Sequence, residues 1–503
     1  MKKYALLFGF FLLILIFSPS SNLQALSLEK SVELYQLPNG MQFILVSRKG
    51  APVFTGYIRV KVGGADEAPN LSGIAHMLEH MAFKGTTTIG TRNYSAEERI
   101  LGEIEKVGMR LAELTRAKKT ASEEAQKLRE QLKALQSQAE QFIVKDEYSR
   151  AFTRNGSTEF NATTSKDLTS YFVELPINKL QLWAYLTSEA LRDPVFREFY
   201  MERDVVMEER RMRVEDDPFG KNYEEFIKNA FEKSPYKDPT IGYAQDISAL
   251  TASDLKNFYR IYYVPQNMVG AVVGDIDIPK TKRLLLQYFG RIPAGKTPPP
   301  LVDHEPEQKM EKRDVVYFNA RPQIMMGYHK PTMPDPDDYV FDLIGQIMCE
   351  GRTSRFYKAL VEKEKIAQSV SCDTGTPGAR LPNLFFIYAT AIGKHSPQEL
   401  ERAILKQLDQ LKDQKVSEEE LTRAKNQLIS EQLFKMNSNF GLAESLTYFQ
   451  AVAGNWKYLL EHPAILEKIT PEQIQQVARK YFVKSNLTVS SLLPSKSKTE
   501  KQP

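Results

Sequence analysis

Cysteine is nearly absent from this 503-residue chain, which contains only Cys349 and Cys372. Two cysteines are too few for a disulfide scaffold or for a zinc site built from cysteine. In an exported protein they could form one bridge, or they could lie separately as two small buried side chains. The sequence leaves both alternatives open.

An excess of charge of either sign is also lacking. The chain has 67 basic and 63 acidic residues, which gives a formal net charge of +4. This near-balance offers no electrostatic reason to expect a nucleic-acid partner. The hydrophobic content of 42% is typical of a folded globular protein. The length of the chain predicts two or more domains.

Long apolar runs are missing beyond the N-terminus. Residues 4–17 are mostly apolar, follow two lysines and precede a short polar stretch that ends near Ala25. This arrangement is typical of a secretory signal peptide, which we place at residues 1–25. The run is shorter than the ~20 residues that a membrane-spanning helix needs. We therefore expect an exported protein, periplasmic or secreted, and keep an uncleaved membrane anchor as the alternative.

Strand and helix patterns occur twice along the chain. In the first domain, residues 30–291, they predict strands at 32–48, 54–64, 157–176 and 267–277, and helices at 178–192 and 199–216. A segment rich in proline and charge at 292–312 is typical of a linker. The order of elements then returns at 313–490, and we expect residues 491–503 to be a disordered tail. These patterns predict an α+β fold of two homologous domains, each a mainly antiparallel sheet covered by helices.

A segment at about 97–150 interrupts the first domain. Between residues 97 and 144 it has no proline, and its leucines recur at helical spacings among many Glu, Lys and Gln residues. We predict one long helix, or an antiparallel helical hairpin of coiled-coil character, that projects from the domain. It could be a docking arm for a partner, or a solvated insertion that packs on itself.

Histidine is scarce as well, and two of the six in the chain stand four residues apart, at His76 and His80. On a helix both imidazoles point to the same side and can bind one metal ion. Glu79 lies on that side too. Zinc lowers the pKa of a bound water to about 7, and Glu79 could then accept a proton from that water. A catalytic zinc site requires a third protein ligand, which must come from elsewhere in the chain.

The word H-x-x-E-H is the inverted zinc-peptidase signature. Its surroundings, GIAHMLEHMAFKGT, resemble the insulinase/pitrilysin family of metallopeptidases, in particular the short-chain bacterial members that are similar to the mitochondrial processing peptidase. The resemblance continues in order through NATTSKDLTSYFVELP, ERDVVMEERRMR and GDID, and it covers about residues 32–490. It implies a zinc-dependent metalloendopeptidase that hydrolyses peptides or unfolded polypeptide segments, with one Zn2+ per chain.

The resemblance also implies roles for individual residues. His76 and His80 would bind the zinc ion, and Glu79 would be the general base. The third ligand in the family is the second glutamate of an E-x6-E pair, which is here Glu202 and Glu209. Glu209 would therefore bind zinc, and Glu202 would hold the zinc ligands in position without itself binding zinc.

Two further assignments concern the ligand helix and the substrate. Glu208 competes with Glu209 as the ligand, but it has no glutamate seven residues upstream. Both glutamates could also be part of a solvated acidic face. Asn161 and Ala162 match the family's edge strand, on which the substrate is held as an added strand by main-chain hydrogen bonds.

The sequence departs from the family at one place. Family members carry an arginine and a tyrosine, seven residues apart, that hold the substrate near the zinc, and Val361 and Gln368 stand at these positions. Chains of this length also form only half of the family's closed chamber. We therefore expect a heterodimer with a zinc-less homologue that supplies the Arg/Tyr pair, and keep a homodimer as the alternative. The competing functional hypotheses are a non-catalytic assembly subunit, against which the intact metal motif argues, and a metal-binding or partner-docking module that uses the long helical insertion. A chelator-sensitive peptidase assay would separate the enzyme from both.

Overall fold

The computed structural model describes residues 28–495. The expected signal peptide and residues 496–503 of the expected tail lie outside this range. The strands are β1 (Val32–Gln36), β2 (Gln42–Ser47), β3 (Val53–Val60), β4 (Thr158–Thr164), β5 (Thr169–Pro176), β6 (Met268–Gly274), β7 (Lys312–Phe318), β8 (Gln323–Lys330), β9 (Ala367–Thr376), β10 (Asn383–Ala391) and β11 (Leu487–Pro494).

Helices surround these strands in both halves. In the first half they are α1 (Ile74–Met81), α2 (Tyr94–Arg116), α3 (Glu123–Glu140), α4 (Glu147–Thr153), α5 (Leu180–Arg192), α6 (Phe199–Arg210), α7 (Pro218–Ala230), α8 (Ala244–Ala249), α9 (Ala252–Tyr262) and α10 (Ile278–Tyr288). In the second half they are α11 (Pro336–Cys349), α12 (Pro397–Asp413), α13 (Glu418–Asn437), α14 (Asn439–Val452), α15 (Tyr458–Lys468) and α16 (Pro471–Tyr481). The chain forms π-helical turns at Arg211–Glu215 and Tyr357–Lys363.

The two sheets have the same topology. The first has the strand order β1-β2-β6-β3-β5-β4, and the second has the order β7-β11-β8-β10-β9. When the edge strand β1 is set aside, strands β2 to β6 match strands β7 to β11 one for one. Each sheet contains one parallel pair, β2 with β6 and β7 with β11, and its other pairs are antiparallel. The predicted α+β fold of two homologous domains is confirmed.

Each half contributes a helix that covers one face of the other half's sheet. Helix α14, from the second half, packs on β3 and β6 of the first sheet. Its Leu442 and Leu446 lie in one cluster with Ile44 and Tyr57. In return, α7 from the first half packs on β7 and β11 of the second sheet. Strand β6 is buried along its whole length because helices cover both faces of the first sheet, which explains its uninterrupted apolar sequence.

The linker and the tail differ in how well they were predicted. Residues 292–311 form no regular element and lead directly into β7, as expected of a linker. The Glu305 carboxylate accepts main-chain N–H groups of residues 232–234 at 2.8–2.9 Å, which attaches the linker to the end of α7. The prediction of a disordered tail is wrong for residues 491–494, because β11 lies between β7 and β8 and continues to Pro494.

The insertion has the hairpin form. Helices α2 and α3 are joined by residues 117–122 and pack on each other, and Arg110 of α2 binds Glu124 of α3 at 2.7 Å. The prediction that the hairpin projects from the domain is wrong. Its leucine face, including Leu111 and Leu132, belongs to the core cluster of the first domain. The apolar stripe that makes the helices amphipathic is therefore buried against the domain.

The two cysteines form a disulfide. Cys349 ends α11 and Cys372 lies in β9, and their Cα atoms are 5.7 Å apart. Of the two alternatives that the sequence left open, the structure has the bridge. None of the helices between residues 28 and 495 has both the length and the apolar composition that a membrane crossing requires.

Candidate metal centre

Helix α1 presents the H-x-x-E-H residues. Its N-terminus is capped by the Glu67 carboxylate, which accepts the N–H groups of Gly73 at 2.8 Å and Ala75 at 2.9 Å. Gly73 has a φ of +89°, and a Cβ there would lie 2.6 Å from the Ile241 carbonyl oxygen, so the turn into the helix requires glycine. The apolar face of α1 is buried in the core through Ile74, Met77, Leu78 and Met81. The opposite face carries His76, Glu79 and His80.

A carboxylate from a distant helix meets the two imidazoles. Oε2 of Glu209, at the end of α6, lies 3.2 Å from Nε2 of His80 and 3.7 Å from Nε2 of His76. The three donor atoms of His76, His80 and Glu209 all lie within 4.8 Å of one another. Within residues 28–495, no other group of His, Cys, Asp and Glu converges in this way.

This donor set fits zinc. Two imidazole nitrogens and one carboxylate oxygen form a three-ligand set of the kind that catalytic zinc sites use. Ligands around a tetrahedral zinc at about 2.0–2.1 Å are roughly 3.3–3.4 Å apart, and the distances of 3.2 and 3.7 Å bracket that value. Nδ1 of His76 is buried and has no hydrogen-bond partner, and Nε2 is the ring nitrogen that faces Glu209.

The two histidines differ in charge preference. Burial lowers the pKa of His76 to about 4, and the neighbouring His80 adds to this effect. Burial also disfavours charge on His80, but hydrogen bonds to Glu202 and Glu209 outweigh it and raise the pKa of His80 to about 9. The two carboxylates thus stabilise positive charge at the point where a metal cation would lie.

Glu202 orients the His80 ring through its Nδ1, the nitrogen that does not face Glu209. Nδ1 of His80 donates to Oε1 of Glu202 at 2.9 Å, which leaves Nε2 directed at Glu209. Lys84 binds the other oxygen of Glu202 at 2.6 Å. Burial opposes ionisation of Glu202, but the hydrogen bonds from His80 and Lys84 outweigh it, and the pKa of Glu202 is lowered. Glu202 is therefore held as a carboxylate, as a supporting partner of a metal-binding histidine commonly is.

Glu79 lies between the histidines and the edge strand β4. Its Oε2 accepts a hydrogen bond from Oγ1 of Thr164 at 2.6 Å, and Thr164 is the last residue of β4. Burial raises the pKa of Glu79. A carboxylate whose pKa is raised by burial is a stronger base than an exposed glutamate, which suits a group that accepts and then releases a proton.

Asn161 and Ala162 lie on the same edge strand. β4 is the last strand of the first sheet and pairs only with β5 among the described strands. The Ala162 N–H donates to Oδ1 of Asn161 at 2.9 Å, and the Asn161 side chain is exposed. The edge therefore has a main-chain donor whose present partner is the side chain of the preceding residue.

Glu208 lies outside the cluster. Its exposed carboxylate binds Arg211 at 2.6 and 2.9 Å, and it contributes no donor atom to the group formed by the histidines and Glu209. The E-x6-E spacing thus selects the glutamate that the structure brings to His76 and His80. Arg213 contacts the remaining oxygen of Glu209 at 3.0 Å.

The side chains of Val361 and Gln368 make their contacts within the second half, away from His76, His80 and Glu209. Val361 lies in a π-helical turn and packs against the core of the second domain. Gln368, near the start of β9, accepts a hydrogen bond from the guanidinium of Arg321. An arginine therefore stands beside the expected tyrosine position, although it comes from a different segment.

Three residues of the site were missed by sequence reasoning. Glu67, Lys84 and Thr164 contact α1, Glu202 and Glu79, respectively. Lys84 and Thr164 lie inside segments that carried the family resemblance and could have been noted there. Glu67 lies outside those segments, and no spacing rule predicts its contact with α1.

Two family profiles match the chain. The profile of the insulinase family (Peptidase family M16) matches residues 43–141, and that of the Peptidase M16 inactive domain matches residues 249–428. The first match contains H-x-x-E-H, and the second falls mainly on the second half, in whose described residues no comparable group of ligands converges.

Individual proteins are similar over nearly the whole chain. The zinc protease PqqE of Helicobacter pylori is 25% identical over 491 residues, which are 96% of this chain and 97% of that protein. A probable mitochondrial-processing peptidase subunit beta of Arabidopsis thaliana is 23% identical over 477 residues, 91% of this chain and 77% of that protein. The crystal structure of a protease from Helicobacter pylori has a TM-score of 0.77 at 24% identity, over 92% of this chain and 99% of that one, and shows the same fold. The chain therefore belongs to the insulinase family of metallopeptidases, family M16.

Proposed function

We propose that this chain is a zinc-dependent metalloendopeptidase that hydrolyses peptides or unfolded polypeptide segments. The observation that carries the proposal is the convergence of His76, His80 and Glu209 within 4.8 Å, beside a partly buried Glu79. The two histidines and Glu209 hold one zinc ion, and Glu202 supports His80. When bound, zinc supplies Lewis-acid activation of a water molecule and of the peptide carbonyl.

Glu79 moves the proton in this reaction. Its carboxylate accepts a proton from the attacking water and delivers it to the departing amine, which requires a base with a pKa closer to neutrality than that of an exposed glutamate. The burial that raises the pKa of Glu79 supports this role. Thr164 holds the Glu79 carboxylate toward β4 at 2.6 Å.

The substrate lies along β4 as an added strand. An extended peptide has main-chain donors and acceptors that match the free edge of a sheet. The Ala162 N–H, now bound by the side-chain oxygen of Asn161, is the donor that a substrate carbonyl would take over. Because Thr164 lies on the same strand as Ala162, a peptide paired with β4 is brought toward Glu79.

A peptidase assay with two variants tests the proposal. The wild-type chain should cleave an unstructured peptide, lose that activity with a chelator and regain it with zinc. Glu79→Gln should retain one zinc per chain and lose roughly 100- to 10,000-fold in kcat, since proton transfer by a positioned group contributes on this order. His80→Ala should lose both zinc and activity.

The same assay separates the enzyme from a non-catalytic assembly subunit of the same fold. A wild-type chain that binds zinc and cleaves nothing, alone or with its partner, would support the assembly subunit. Cleavage that persists in Glu79→Gln would remove the proposed general base. Wild-type activity that no chelator reduces would contradict a metallopeptidase.

We further propose that the active particle is a heterodimer with a zinc-less homologue that supplies an Arg/Tyr pair. Val361 and Gln368 in place of that pair support this proposal, and a homodimer is the alternative. Light scattering combined with the peptidase assay tests it, because a purified monomer with full activity would exclude both assemblies.

The proposed location is outside the cytoplasm. The N-terminal sequence and the Cys349–Cys372 bridge both support export, because disulfides persist in oxidising compartments. Cell fractionation with an antibody against the mature chain tests this location and the alternative of an N-terminal membrane anchor.

A further inference from the structure

The loop between β9 and β10 carries a contact between the two halves. Its Arg380 reaches the first half and binds both carboxylate oxygens of Asp66, at 2.8 and 3.2 Å. The Asp66 side chain is 3% exposed and that of Arg380 is 15% exposed. This is a buried bidentate pair, the geometry in which an arginine fixes a carboxylate most closely.

The same loop also binds Asp167. The N–H groups of Ala379 and Arg380 donate to Oδ2 of Asp167 at 2.5 and 3.2 Å, and the Arg380 guanidinium donates to the Asp167 carbonyl oxygen at 3.2 Å. The hydroxyl of Tyr236 donates to Oδ1 of Asp167 at 2.7 Å. Asp167 is thereby fully engaged by the loop and by one neighbouring tyrosine.

Both aspartates adjoin elements of the metal centre. Asp66 is followed by Glu67, whose carboxylate caps the first turn of α1 immediately before His76. Asp167 lies three residues beyond Thr164, which binds Glu79 and ends the edge strand β4. Arg380 therefore contacts both the segment that precedes α1 and the turn that follows β4.

We propose that Arg380 is a positioning residue of the metal centre, through which the half without a metal cluster sets the separation between α1 and β4. This inference rests on the proposed peptidase function. Without the guanidinium, the buried Asp66 carboxylate loses its charged partner and keeps the Gly63 N–H, at 2.9 Å, so its segment is expected to move toward water. Glu67 moves with it, so the helix cap loosens and Glu79 shifts relative to a peptide on β4. Displacements of this kind lower the rate of the chemical step.

The test compares Arg380→Ala and Arg380→Lys with Arg355→Ala. Arg355 is a matched control, because it also forms a half-buried bidentate pair, with Glu420 at 2.7 and 2.9 Å, but that pair lies entirely within the second half. Amide hydrogen exchange is followed in peptides that cover residues 73–81 and 158–167. The kcat, the KM and the thermal midpoint are measured for each variant.

In Arg380→Ala, exchange in residues 73–81 and 158–167 should rise by about tenfold, with little change elsewhere. The kcat should fall roughly 10- to 100-fold, by more than the KM rises. Arg380→Lys should recover part of the kcat, because it keeps the charge but loses the fork geometry. Arg355→Ala should leave exchange near the site and kcat at the wild-type level.

Exchange at α1 and β4 that stays at the wild-type level in Arg380→Ala would overturn the inference. So would a rise spread evenly over both halves, since that indicates general destabilisation. Hydrogen exchange needs no activity, so it decides this inference even if the wild-type chain cleaves nothing and the proposed function fails.

Discussion

Nδ1 of His80 and Oε1 of Glu202 are joined by a hydrogen bond of 2.9 Å. The bond commits one ring nitrogen of His80 to Glu202, so the other is available to a metal shared with Glu209. Because Glu202 also binds Lys84, the imidazole is attached to a partner that is itself fixed.

Glu202→Ala should weaken zinc binding about 10- to 100-fold, since residues that hydrogen-bond to metal ligands contribute on this order to metal affinity. His80 loses the group that sets its ring orientation, while all three ligands remain. Competition with a chromogenic chelator measures the change. Glu208→Ala, two turns further along α6 and exposed, is the control and should bind zinc normally. Equal affinity in both variants would contradict the role of Glu202.

Glu209→Gln should reduce zinc content from one per chain to near zero after dialysis, because an amide is a much poorer zinc ligand than a carboxylate. Glu208→Gln should retain one zinc per chain, since Glu208 binds Arg211 and not the histidines. Elemental analysis of the two purified proteins measures the zinc content. The reverse result would exchange the roles of the two neighbouring glutamates.

Asn161→Ala should raise the KM roughly two- to tenfold and change kcat little, because the Asn161 amide, once a substrate carbonyl has displaced it from the Ala162 N–H, is expected to form one hydrogen bond of about 0.5–1.5 kcal/mol with the substrate main chain. Thr158→Ala is the control, because Thr158 is exposed at the other end of β4 and its hydroxyl contacts Glu174. Michaelis kinetics on one peptide measures both variants. An unchanged KM for Asn161→Ala would argue against substrate binding along this edge.

Replacing both cysteines, Cys349→Ser with Cys372→Ser, should destabilise the second half by about 3 kcal/mol, the chain-entropy value for a loop of this size. The two cysteines are 23 residues apart in the sequence. Scanning calorimetry measures the effect as a lower thermal midpoint. The wild-type chain in reductant should show a similar decrease, and an unchanged midpoint in both experiments would show that the bridge adds no stability.

Much of the fold could be predicted from the sequence, because strand alternation and helical periodicity are local. The strands of the first domain were placed within a few residues, and the repeat of the elements predicted the shared sheet topology. Helix α14 on β3 and β6 could not be predicted. Its buried residues face strands that lie about 390 (β3) and about 170 (β6) residues earlier in the chain. Periodicity shows only that a face is apolar, not what covers it.

The convergence of His76, His80 and Glu209 was predictable for a different reason. Helical spacing places His76, Glu79 and His80 on one side of α1, and the family resemblance, through its E-x6-E pair, pointed to Glu209 rather than Glu208. Arg380 has no such signal, since its partners Asp66 and Asp167 are far away in the sequence and form no motif with it. The leucine face of the insertion was recognised, but its partner surface was not, so a packed hairpin was mistaken for a projecting one.

The exchange of α7 and α14 between the halves has a consequence for how the chain can be divided. Each sheet is covered in part by a helix from the other half. A half expressed alone would therefore expose an apolar sheet face to solvent. A cut within residues 292–311 would sever the backbone and leave both exchanged helices in place. The packing of α7 and α14 on the opposite sheets therefore holds the two halves together as one particle, without depending on the linker.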